Sequence, residues 1–247
     1  MRYGVFDNKS MAKLMQSVDK YVDGYVPCLS SGEGEAISNE QWKEIVKYVR
    51  AQTRNPLFPG IKREKIEDVI LLEKTAKELG CDGITVPVPF KTWAENEKYF
   101  EKLLSQTTLP ILLYNTENAC ISDMENLKEL DGGRIVAIKD SSMNREFFAK
   151  MCEARIQNEL SMAVLQGMEH QLDVPKGCDG YLVSLLNVEP ALVKQMFENP
   201  SAETNKKIVD VFWKYNLGGN WYTTLKALLF ERRIIDSAEE VSLAIKP

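Results

Sequence analysis

The chain has 247 residues, 44% of them hydrophobic and 27% charged, and its 31 Lys and Arg against 36 Asp and Glu leave a formal net charge of −5. That usage is ordinary for a globular protein and excludes disordered and fibrous architectures, while the acidic balance argues against a nucleic-acid backbone or an anionic membrane as partner. No apolar run approaches the ~18 residues of a membrane helix, and the start MRYGVFDNKS lacks the features of a signal peptide, so the expected setting is soluble and cytoplasmic.

Beta-rich runs alternate with stretches of helical period. A run at 3–6 is followed by the stripe Met11, Leu14, Met15, Val18 and Val22, spaced for one helix face. After a run at 24–29, Ser38 with Gln41 has the pattern of a capping box, which satisfies two orphan backbone donors at a helix start. The run at 57–61 leads into KREK at 62–65, a solvated helix start, and the stripe Ile66, Val69, Leu72, Ala76 and Leu79. Further runs fall at 83–88 (after KELGCDG), 110–114 (after TTLP), 135–139, 162–166 and 180–185 (after KGCDG). Ser122 with Glu125 is a second capping-box pattern, and His170 reads as a surface residue at the start of a seventh helix. Residues 191–198 complete an eighth helix, NPSAET breaks it, and 206–215 and 221–235 are two more helices separated by NLGGN.

The strands are near-continuous apolar runs, as parallel strands covered on both faces should be. Eight strand–helix units predict the α/β class and a closed (β/α)8 TIM barrel over residues 1–198, with 199–247 a short C-terminal helical appendage packed on it. An open doubly wound sheet is the competitor, but no Gly-rich dinucleotide fingerprint follows the first strand.

The five cysteines, at 28, 81, 120, 152 and 178, are odd in number and form no CxxC pair, which suits reduced thiols better than a disulfide framework or a zinc site. A single histidine, His170, removes most metal-hydrolase schemes and leaves acid–base chemistry to Lys, Tyr, Glu, Asp or Ser. In barrels of this class, strand C-terminal ends carry the active site. Lys139 ends the run IVAIK. A lysine there is costly to leave charged, and a neutral amine is what a Schiff base requires; the alternative is a lysine snorkelling to solvent or paired with Asp140. Tyr114 ends PILLY on the preceding strand, either a proton carrier for Lys139 or a packed ring. Ser30, Ser31, Gly32 and Glu33 follow the second strand, where hydroxyls and successive backbone donors suit a carboxylate or phosphate, though turns use the same residues. Trp93 and Tyr99 are expected to pack.

Together these segments resemble the dihydrodipicolinate synthase / N-acetylneuraminate lyase family of class I aldolases. LSSGE at 29–33 is similar to the family's G-T-T-G-E, LLYN at 112–115 to its L-Y-N, and Ile138, Lys139 and Asp140 to its I-K-[DE]. GCDGYLVSLLNVEP is similar to its G-x-x-G-V-I-S-x-x-x-N-V-x-P. The likeness runs from about Val5 to Ile235. It implies that Lys139 forms an imine with pyruvate or another 2-oxo acid, with no metal or organic cofactor. Tyr114 and Ser30 would serve the proton relay, Ser30 and Ser31 would hold the carboxylate, and Gly32, Glu33 and Leu182 would complete the substrate site. The implied partners are a small 2-oxo acid, an aldehyde, and further copies of the chain in a dimer or tetramer. The departures are informative. The family's T-P-Y-Y is here Val88, Pro89, Phe90 and Lys91, so Lys91 replaces a relay tyrosine. Ser30 replaces the relay threonine, and Ala119 stands where the synthases carry an arginine for the aldehyde's carboxylate. These changes make a sugar-acid or hydroxy-oxo-acid aldolase a better expectation than a true dihydrodipicolinate synthase. The rivals are a catalytically silent member that binds a 2-oxo acid as sensor or scaffold, and a barrel isomerase using Lys139 as base.

Overall fold

Short apolar runs bounded by Gly or Pro become the strands, and the longer amphipathic stretches become helices. The computed structural model describes residues 5–119 and 121–241. In chain order the helices and strands are α1 (Asn8–Val18), α2 (Asn39–Gln52), α3 (Ile66–Glu78), β1 (Ile84–Pro87), α4 (Trp93–Gln106), β2 (Ile111–Thr116), α5 (Met124–Leu130), β3 (Ile135–Ser141), α6 (Arg145–Ile156), β4 (Ala163–Gln166), β5 (Gly180–Tyr181), α7 (Pro190–Glu198), α8 (Ala202–Lys214) and α9 (Trp221–Glu231). They fall in two compact units, Ile61–Val183 and Met1–Gly60 together with Ser184–Pro247.

Within Ile61–Val183, β1 to β5 pair in parallel and in chain order. An open doubly wound sheet would reverse its strand order at a switch point; sequential parallel order is barrel winding. Ile84, Val86, Ile111, Leu113 and Ile138 of the strands are buried, and so are Val69 and Leu72 of α3, Phe100 and Leu103 of α4, Leu127 of α5 and Met151 of α6. Carboxylates fasten the starts of the strands. Glu73 accepts from the backbone of Thr108 (2.6 Å) and Leu109 (2.8 Å) ahead of β2, and Asp131 from Ser161 (2.6 Å) and Met162 (2.8 Å) ahead of β4. The β2–β3 register shifts between Ile111 and Leu112, which leaves Val136 unpaired and exposed as a bulge.

Several sequence expectations are corrected. The runs at 24–29 and 57–61 form no regular strand: they meet at a parallel bridge between Tyr25 and Leu57 and at one further bond from Gly60 N to Pro27 O (2.8 Å). Pro27, Pro56 and Pro59 have no N–H to extend that ladder. The run at 180–185 pairs only over Gly180–Tyr181 and continues as a 3-10 turn, Ser184–Asn187. No helix joins β4 to β5, so His170 lies in a loop interrupted by Gly167, Pro175 and Gly177. The cap of α5 is Asp123, whose carboxylate accepts from Glu125 and Asn126, not Ser122; the Ser38–Gln41 capping box forms as expected. The last helix stops at Glu231 rather than 235, with Arg233 left-handed (φ 58°) just beyond. Part of the run at 3–6 lies outside the described residues. Among those residues, no helix is long and apolar enough to cross a membrane, and Cys152 and Cys178 are free thiols.

Candidate active site

At the C-terminal ends of the parallel strands, Tyr114 of β2 and Lys139 of β3 are register partners. Because alternate residues of a strand share a face, both side chains project on the same side. Lys139 Nζ lies 4.2 Å from the centroid of the Tyr114 ring, in reach of its π face. Both residues are buried, and no carboxylate among the described residues lies within ion-pair distance of Lys139 Nζ. The pairing with Asp140 that a charged lysine would seek is absent. The Asp140 carboxylate instead accepts from Asn115 Nδ2 (2.9 Å) and Ser142 Oγ (3.1 Å). Burial raises the Asp140 carboxyl above its ordinary value, against the opposing pull of those donors.

Two residues that the sequence did not single out crowd this lysine. A Cβ at Gly167, just past β4, would stand 2.7 Å from Lys139 Cε and 2.1 Å from Ser141 Oγ. The Ser141 hydroxyl is itself buried, with no hydrogen-bond partner among the described residues. It therefore offers a polar contact beside Lys139. A glycine straight after a buried strand was the available signal, since it marks close approach of another group. Leu182, half-buried, follows β5 and donates its N–H to Gln166 O at the end of β4 (2.9 Å).

Ser30, Ser31 and Gly32 form a 3-10 turn in the other unit, with Glu33 left-handed at its end (φ 51°). Leu29 O accepts from Gly32 N (3.0 Å) and Gly34 N (3.1 Å). Gly34 is obligatory: a Cβ there would stand 1.8 Å from Cys28 O. The N–H groups and hydroxyls of Ser30 and Ser31 make no hydrogen bond among the described residues, which leaves them available to an anion. Glu33 is committed elsewhere. Its carboxylate forms a close, largely enclosed ion pair with Lys226 of α9 and accepts from Val241 N (2.8 Å). Lys226 also donates to Glu239 O (2.6 Å). Glu33 thus ties the Ser30–Gly32 turn to α9.

The positions that depart from the family pattern lie in loops after β1 and β2. Asn96 of α4, buried, grips Phe90 by both backbone groups (3.0 Å from N, 2.9 Å from O), and the Phe90 ring meets Tyr99 edge-on at 6.0 Å. Lys91 is exposed. Ala119 sits in a turn in which Thr116 N donates to its carbonyl (3.3 Å), so no basic side chain stands at that place. His170 is half-buried, and burial holds its imidazole below the usual value.

Comparison with known proteins identifies the fold and the family. The 4-hydroxy-tetrahydrodipicolinate synthase of Archaeoglobus fulgidus is 25% identical over 203 residues, 78% of this chain and 68% of that one. The chloride-inhibited dihydrodipicolinate synthase of Acinetobacter baumannii, solved with pyruvate, superimposes with a TM-score of 0.86 at 22% identity, covering 100% of this chain and 89% of that one. The 2-keto 3-deoxygluconate aldolase of Picrophilus torridus does so with a TM-score of 0.77 at 20% identity, covering 90% and 87%. The fold is accordingly α/β, a (β/α)8 barrel. The profile of the Dihydrodipicolinate synthetase family matches residues 1–231, and the chain belongs to that family of lyases.

Proposed function

We propose that the protein is a class I, Schiff-base-forming aldolase or lyase acting on pyruvate or a related 2-oxo acid. The observation that carries this is Lys139, a buried residue whose Nζ has no carboxylate partner among the described residues and is set against the Tyr114 ring. The amine adds to the C2 keto carbon and water leaves, giving an iminium. Loss of a C3 proton, or cleavage of the C3–C4 bond of a longer 2-oxo acid with release of an aldehyde, yields the enamine; the reverse step forms a carbon–carbon bond. The Tyr114 hydroxyl carries the proton, with Ser30 as its hydroxyl partner. Ser30 and Ser31 hold the carboxylate at the Gly32 turn, Glu33 fixes that turn, and Leu182 supplies an apolar wall. Residues 1–198 form the barrel and 199–247 the appendage, and the working form is a cytoplasmic homodimer or homotetramer.

With Ala119 in place of a guanidinium, no bidentate grip on a second carboxylate is available there. A sugar-acid or hydroxy-oxo-acid substrate therefore suits the site better than aspartate semialdehyde. Pyruvate with borohydride should add one reduced adduct to the intact mass, and Lys139→Ala should abolish both trapping and turnover. Trapping that survives in Lys139→Ala would move the nucleophile to another lysine, Lys91 first. Rapid condensation with aspartate semialdehyde in a coupled assay would overturn the substrate assignment. Lys91, standing where the family often has a second tyrosine, favours one other reading, a silent member that binds a 2-oxo acid. Trapping without turnover on any aldehyde or longer 2-oxo acid would establish it.

A further inference from the structure

The residues one step above the Tyr114–Lys139 pair are also register partners: Asn115 of β2 and Asp140 of β3. Successive residues of a strand point to opposite faces, so this second pair lies on the side of the sheet away from the first. Asn115 is fully enclosed and Asp140 is 3% exposed. Asn115 Nδ2 donates to Asp140 Oδ1 (2.9 Å) and to Ile121 O (2.9 Å), and its Oδ1 accepts from Ile121 N (2.8 Å). Ser142 Oγ occupies the other Asp140 oxygen. The link spans the strands at the height where Tyr114 sits against Lys139.

That height is where register matters most. Even a shift of β2 along β3 well short of the one-residue slip that would turn side chains to the opposite face would carry the Tyr114 ring off Lys139 Nζ while leaving the amine reachable. Lower down, the β2–β3 ladder already carries the Val136 bulge, so the register of the upper half rests on a few backbone pairs and on this side-chain bridge. Resting on the Schiff-base reading above, we propose that Asn115 and Asp140 are positioning residues: they hold β2 and β3 in the register that sets the Tyr114 ring against Lys139 Nζ. Proton transfer through Tyr114 tolerates little misplacement, whereas imine formation needs only a reachable amine and a bound carboxylate. The pair therefore governs proton transfer more than imine formation.

Two readouts on the full-length protein, with pyruvate as probe, separate these effects: the borohydride-trapped fraction at saturating pyruvate, and the rate at which pyruvate methyl protons exchange with deuterated water. Asp140→Leu and Asn115→Ser should trap like the unmodified protein while exchanging about 10²-fold more slowly, the low end of a general acid–base contribution. Asp140→Asn keeps an oxygen facing Asn115 Nδ2 and should recover most of the exchange rate lost in Asp140→Leu. The assignment is overturned if trapping and exchange fall together, if exchange does not fall, or if Asp140→Asn is as slow as Asp140→Leu. Failure of both Asp140→Leu and Asn115→Ser to accumulate as folded protein would make the pair a stability element and overturn it equally. If the unmodified protein is not trapped at all, the Schiff-base reading fails; if it is trapped but the split is missing, only the positioning role does.

Discussion

At Gly167 a single methyl group is enough to disturb the site. In Gly167→Ala the new Cβ would overlap Ser141 Oγ and press on Lys139 Cε and Asp140 O, the latter two at 2.7 Å. Overpacking of this kind costs about 1–3 kcal/mol, so the variant should fold with a lowered melting temperature and lose at least tenfold in borohydride trapping. Normal trapping in Gly167→Ala would mean that the lysine moves aside freely. Asp140 gives a second test. Its carboxyl is raised above 3.8 by burial, so the folded state binds the proton more tightly than the unfolded state. The stabilising contribution is present at low pH and lost as pH rises from about 3.8 through the raised value. The stability of Asp140→Asn relative to the unmodified protein should therefore increase as pH rises above about 3.8 and level off once the raised value is passed, as read by urea denaturation. A difference flat with pH would show that burial leaves the group unshifted. Lys139 and Tyr114 were legible in the sequence because each closes an apolar run. Gly167 and Ser141 were not singled out: a glycine straight after a strand and a serine two residues past Lys139 were the available signals, but the close approach between the end of β4 and β3 leaves no mark along either strand alone. Glu33 was legible as special, but its partner lies 193 positions away on α9 and could not be guessed.

Elements were readable where period and punctuation agreed. The stripe from Ile66 gives α3, and the apolar runs ending at Tyr114 and Lys139 give β2 and β3. They were misread where backbone chemistry overrode pattern. The runs at 24–29 and 57–61 are apolar enough for strands, yet prolines interrupt their hydrogen bonding, and the loop from Gly167 to Asp179 is too broken to wind a helix. The start of α5 gives a clean test of one such correction. Asp123 Oδ1 accepts from Glu125 N at 2.8 Å and Asn126 N at 3.3 Å, whereas Ser122 is exposed and outside the cap. Asp123→Ala should cost about 0.5–2 kcal/mol, the usual loss of an N-cap, and Ser122→Ala should stay within about 0.5 kcal/mol of zero. Chemical denaturation of the two variants distinguishes the caps; equal costs would restore the serine.

At the scale of the molecule, the sequential parallel order of β1 to β5 and the match over residues 1–231 bear out the barrel that the sequence suggested. The largely enclosed ion pair between Glu33 and Lys226 joins the Ser30–Gly32 turn to α9, and Val241 N closes the same carboxylate. Removing one member of a buried pair leaves an uncompensated charge, at a cost of about 3–5 kcal/mol. Glu33→Gln should lose that much stability in urea, and Glu33→Gln with Lys226→Met should recover much of it; an unchanged midpoint in the single variant would show the pair to be solvated.

The same contacts set an order on folding. Glu33 and Val241 are 208 positions apart, and Ser10 Oγ accepts from Asp236 N (2.8 Å) across 226. Loop closure over such separations must precede any reward from the contact. The stretch Ile61–Val183, by contrast, is continuous, and β1 to β4 pair within it across far shorter spans. A chain emerging from the ribosome can therefore assemble the sheet carrying Lys139 while the serine turn still lacks its anchor. Lys139 is in place early, and the Ser30–Gly32 turn sets only when α9 and the segment that carries Val241 arrive.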